Sequence, residues 1–140
     1  MSNARPLTPH QEERLQSGLD FAARIADSAR PLSLAQVQAL YDAFIDEQVD
    51  HPVTIEALGI SFGACLIGSG DLLEWVGYED EYGEEISVAV IGKAIFAHPI
   101  SMVQKRLEDR KTWDLAELHA STLARLRQMA DEDNSDTRKG

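Results

Sequence analysis

A single cysteine among 140 residues, Cys65, rules out an intrachain disulfide and fits a reducing compartment. Its neighbours Ala64 and Leu66 mark it as a small buried hydrophobe, because a reactive thiolate needs cations close by. Cations are scarce: 13 Lys and Arg stand against 24 Asp and Glu, a net charge of −11. Nucleic acid and anionic membranes, both of which require clustered cations, are therefore excluded as expected partners. Long apolar runs are missing too. The longest, residues 58–67, is broken by Gly59, Ser61 and Gly63 and falls short of the roughly 18 residues that span a bilayer. The opening MSNARPLTPHQEER has no apolar h-region, so no secretory signal is expected and the chain reads as cytoplasmic.

The motifs of chemistry are equally sparse. The four histidines, His10, His51, His98 and His119, form neither H-x-x-x-H nor H-E-x-x-H, so helix-based metal ligation has no support. The G-x-S-x-G spacing of Gly59-Ile60-Ser61-Phe62-Gly63 falls inside a stretch read as helix, not at the strand-to-helix turn a serine nucleophile needs, and no G-x-G-x-x-G or Walker A lysine cradles a phosphate. No catalytic residue, metal or cofactor is assigned.

What the chain does have is periodicity and good helix starts. An apolar fraction of 44% with 26% charged residues is that of an ordinary globular protein, and 140 residues suffice for one domain and one core. Residues 1–7 lack periodicity and read as a mobile arm. Thr8 with Gln11, and Ser33 with Gln36, are capping boxes that open two amphipathic helices, the first turned back before Pro31. A third helix spans about Thr54–Ile67, with Gly59 and Gly63 on one face, a strip that lets a neighbouring backbone come close. Then come three short strands: Leu73–Tyr78, a second around Ile86–Val90, and Ala94–Ala97. Gly83 serves the first turn and Gly92-Lys93 the second. Connections this short make the strands antiparallel. His98-Pro99 opens a fourth helix, and Asp114 with Glu117 a fifth. The domain spans residues 8–130, and the polar residues 131–140 read as a disordered acidic tail. The expected fold is α+β, a three-stranded antiparallel meander against about five helices in the order α-α-α-β-β-β-α-α.

Leu58-Gly59-Ile60-Ser61-Phe62-Gly63, Glu74-Trp75-Val76, Asp80-Glu81-Tyr82-Gly83 and the run from His98-Pro99 to Arg106 resemble the bacterial domain-of-unknown-function family DUF3806. The resemblance covers about half the chain. It implies a fold and a bacterial source, and no activity or site residues.

One polar cluster stands out, the acidic turn from Glu79 to Glu85. Its spacing does not match a D-x-[DN]-x-[DN]-G cation loop. Acids at a hairpin tip face solvent or a partner, so the expected contact surface is Trp75, Tyr78, Glu79, Asp80, Glu81, Tyr82 and Glu84. Trp75 fits core packing equally well. The corresponding function is a non-catalytic protein-binding module, immunity-like or an adaptor, with a basic protein or a second copy as partner. A secretion-chaperone-like acidic dimer is one alternative. A small hydrolase or metal-dependent enzyme built on Glu79, Asp80 and His98 is the other, and it requires those side chains to converge. The basic run Lys105, Arg106, Arg110 and Lys111 reads as a solvated helix face or as a complement to the acidic hairpin.

Overall fold

In a computed structural model of the chain, residues 4–139 are described, with side chains as far as Asp133. The order is β1 (Ala4–Arg5), α1 (Pro9–Ile25), α2 (Leu34–Asp46), α3 (Pro52–Ile67), β2 (Leu73–Asp80), β3 (Gly83–Val90), β4 (Phe96–Ala97), α4 (Pro99–Glu108) and α5 (Leu115–Lys139). The fold is α+β, as expected, but the antiparallel sheet has four strands in the order β1-β2-β3-β4. The added strand comes from the supposed arm: Ala4 pairs with Tyr78 and Arg5 with Gly77. A two-residue strand has too few positions to show alternation, which is why the sequence hides it. At the other end, α5 continues to Lys139, across the stretch from Asp131 that composition sets aside as a disordered tail.

Both capping boxes form. Thr8 Oγ1 accepts from Gln11 N while Gln11 Oε1 accepts from Thr8 N, and Ser33 and Gln36 repeat the exchange. Asp114 Oδ1 accepts from the backbone of Ala116 and Glu117, which starts α5. Helix α1 ends at Ile25, earlier than Pro31 alone implies, with Asp27 in the left-handed region at φ 50°.

One face of the sheet carries Leu73, Trp75 and Gly77 on β2 opposite Val90, Val88 and Ile86 on β3, and α3 and α1 lie against it. The glycine strip of α3 makes this close fit possible. A Cβ on Gly59 would stand 2.6 Å from Ile100 Cα of α4, and one on Gly63 would stand 2.5 Å from the Trp75 ring. Gly77 has a similar role that periodicity does not reveal: the buried amide of Gln11 occupies the space a Cβ would need. The second face carries Val76, Ser87 and Ala89, all buried, with Tyr78 and Phe96 in edge-to-face contact at 5.2 Å.

Within α3, the Ser61 hydroxyl is buried and has no hydrogen-bond partner among the described residues. A buried hydroxyl left unpaired costs on the order of 1–3 kcal/mol, and alanine is the better helix former. Ser61→Ala is therefore expected to raise stability by about 1 kcal/mol in urea unfolding. No change or a loss would show that the hydroxyl has a partner in solution.

Candidate functional site

The acidic hairpin is built by a two-residue turn, Glu81-Tyr82, between Asp80 and its register partner Gly83. Asp80 Oδ1 accepts from Tyr82 N at 2.8 Å, and Gly83 takes φ 123°, where a side chain would be strained. Directly behind the turn, Glu79 and Glu84 face each other across the strands. Like charges in that position repel. Arg5 of β1 resolves the conflict, donating through Nη2 to Glu79 at 2.6 Å and to Glu84 at 2.5 Å. Two of the seven expected contact residues thus share one internal cation. Asp80, Glu81 and Tyr82 remain exposed at the tip, with Tyr82 89% accessible.

The two other aromatics turn away from the tip. Trp75 packs on Gly63 at the edge of the core. Tyr78, on the opposite face, meets the His98 ring at 4.7 Å and Phe96.

His98 does not join Glu79 or Asp80. Its Nδ1 is hydrogen-bonded to Ser87 Oγ at 2.8 Å and lies 3.8 Å from Glu85 Oε2. Serine, histidine and glutamate together suggest a nucleophile–base–acid set, but the geometry is wrong for one. Both partners address the same ring nitrogen, whereas a relay needs the acid on one nitrogen and the nucleophile on the other. Ser87 is also fully buried. Glu85 instead caps α4: its Oε1 accepts from Ser101 N at 3.1 Å and from Ser101 Oγ at 2.7 Å, while the side chain of His98 at the N-cap makes no such bond. A carboxylate there also complements the helix dipole. Glu85→Ala is expected to lower stability by about 1 kcal/mol, the usual worth of a cap, and Glu85→Gln by less, because the amide oxygen still accepts. Equal losses for both in thermal unfolding would assign the effect to charge alone.

His119 and Cys65 serve the fold. His119 Nε2 lies 2.9 Å from Ser69 Oγ and 3.1 Å from the Cys65 carbonyl, so α5 finishes the C-terminal end of α3. The Cys65 thiol donates to Leu32 O at 3.5 Å, and burial pushes its pKa up to about 11. The native thiol is expected to resist iodoacetamide at pH 8 and to react only once urea unfolds the chain, since the thiolate is the reacting form. Rapid native labelling would contradict this placement. Among the described residues no group of three or more His, Cys, Asp or Glu is arranged to hold a metal ion. No helix among them is long and apolar enough to cross a membrane.

Side chains that sequence reasoning missed are those acting over long range. Gln38 of α2 accepts from Leu115 N at 2.6 Å and donates to Trp113 O at 2.8 Å, fastening the start of α5. Tyr41 donates to Lys111 O at 2.6 Å nearby. Such contacts leave no local pattern in the sequence.

Fold and site together define a small α+β domain in which His98 and His119 are engaged structurally and an acidic hairpin stands exposed. The sequence matches the family described as Domain of unknown function (DUF3806) over residues 33–119, more than half the chain, and the protein belongs to that family. The match begins at the capping box of α2 and runs into α5, so it takes in more of the chain than the short motifs suggest. No curated protein matches. A crystal structure of a protein from Bacteroides thetaiotaomicron VPI-5482 has a similar fold, with a TM-score of 0.72 over 86% of this chain at 15% identity. The chain spans 46% of that protein's length.

Proposed function

We propose that this protein is a non-catalytic, cytoplasmic protein-binding module whose hairpin tip meets a basic surface, in the manner of an immunity protein or an adaptor. The observation that carries the reading is the tip itself. Tyr82 is extended into solvent next to Asp80 and Glu81, while every other acid of the turn is tied to Arg5 or to α4. A large side chain with two rotatable bonds, ringed by charge, is the composition of an interface anchor. The net charge of −11 would speed encounter with a basic partner. A hydrolase based on Glu79, Asp80 and His98 draws no support, because Glu79 is held by Arg5, Asp80 by the turn, and His98 by Ser87.

The test places a photo-crosslinking amino acid at position 82 in the producing cells. The expected result is one adduct with a basic surface, weakened by Glu81→Lys and by salt. Absence of any adduct, or one indifferent to Glu81→Lys, would remove the reading.

A further inference from the structure

The rim of the groove between α4 and α5 runs against the charge of the chain. The groove has a volume of about 880 Å³ and a floor of Phe96, Met102 and Leu118, and Lys105, Arg106 and Arg125 stand around it. Elsewhere Arg5, Arg14, Arg30 and Lys93 each hold a carboxylate, while Arg24, Arg110, Lys111 and Arg127 have no ion pair among the described residues. In a chain with 24 acids, Lys105 and Arg125 have no ion pair among the described residues. Arg106 lies over the Trp113 ring at 4.5 Å and donates to Met102 O, and its buried Nε has no partner among the described residues. The one carboxylate lining the groove, Glu108, is engaged by Gln104 at 3.2 Å.

The same chain carries the complement. The hairpin tip offers an exposed aromatic ring for an apolar floor, with Asp80 and Glu81 beside it for a cationic rim. Tip and groove are also neighbours. Glu85, the residue after the Glu79–Glu84 pair, is bonded to Ser101 and adjoins His98, and both of those residues line the groove. Complementary patches side by side on one molecule suit two-fold pairing, because each copy then gives a tip and receives one, and the assembly closes at two. We infer that the α4–α5 groove is the docking site for the Asp80-Glu81-Tyr82 tip of a second copy of this chain, forming a reciprocal dimer. The inference rests on the reading of the tip as a contact surface and names its partner.

Sedimentation equilibrium of the full chain tests it. The wild type is expected to show a monomer–dimer equilibrium that shifts to monomer as salt screens the charges. Asp80→Asn with Glu81→Lys reverses the tip while keeping the acceptor of the turn. Lys105→Glu with Arg125→Glu reverses the groove. Each double variant alone is expected to lose the dimer, and a one-to-one mixture of the two is expected to regain it as a heterodimer, since each reversed tip then meets a reversed groove. The regained dimer also shows that neither variant has merely unfolded. A wild type that stays monomeric at every concentration, a dimer that survives both reversals, a mixture that remains monomeric, or open-ended assembly beyond two would each overturn the inference. A monomeric wild type that still crosslinks a foreign basic protein through position 82 would leave the tip's role intact and remove only the self-docking.

Discussion

Gly59→Val is expected to remove about 3 kcal/mol of stability, the upper end of what forcing extra methyl groups into a packed interior costs. The reason is the identity of the atom it would strike. A Cβ at position 59 stands 2.6 Å from Ile100 Cα, a backbone atom at the second position of α4, so no rotamer change can make room. The start of α4 cannot retreat easily, because Pro99 rests against Gly63 and Glu85 holds Ser101. Gly18 is the control. A Cβ there would meet the Cδ1 methyl of Ile60 at 2.6 Å, a side-chain tip that can turn aside. Replacing a helical glycine by alanine gains about 1 kcal/mol of intrinsic helix preference, so Gly18→Ala should fall within about 1 kcal/mol of wild type. Gly63→Ala should lie between the two, because its obstacles are the Trp75 ring and the Pro99 ring. Urea unfolding by circular dichroism gives the order directly. Equal effects at positions 18 and 59 would mean that α3 and α4 are not packed as closely as described.

That glycine strip was legible in the sequence, because glycines four apart on an otherwise apolar helix leave few reasons other than close approach. The helix starts were legible for a similar reason: a capping box is a local exchange between residues three apart, and the chain makes it twice, with Asp114 capping α5 one way only. The hairpin could be read from alternation and a glycine at the turn. Illegible were the features that join distant residues. β1 is two residues long and exists only because β2 offers it an edge. Gly77 looks like a weak point in a strand until the amide of Gln11 is seen to need its space. The candidate site divides along the same line. Its acids were visible as a run, but their fates depend on Arg5, 74 residues from Glu79, and on Ser101 at the start of a later helix. Only the tip, whose Asp80 bonds within its own turn and whose Tyr82 is exposed, could be judged from the sequence alone.

Tyr41 offers the second large effect, and one that pH can separate from packing. The side chain is fully buried between α2 and the segment before α5, with its hydroxyl donating to Lys111 O at 2.6 Å. Tyr41→Ala removes a ring from the core and leaves that carbonyl unpaired, so a loss of about 3–5 kcal/mol is expected. Tyr41→Phe keeps the ring and loses only the hydrogen bond, which should cost about 1–2 kcal/mol. Burial raises the pKa of the phenol from its ordinary 10.0 to about 12, with the nearby Arg106 charge opposing the shift. The unfolded chain therefore gives up this proton at lower pH than the folded one. The resulting contribution to stability is complete below pH 10 and is lost as pH rises toward about 12. Cys65 acts in the same direction at lower pH, from its ordinary 9.0 to about 11. A Cys65→Ala background isolates the phenol: its stability should fall between those two limits more steeply than that of the same protein carrying Tyr41→Phe. Parallel alkaline curves for the two would place the Tyr41 hydroxyl in contact with water, and α5 would then be fastened by Gln38 without it.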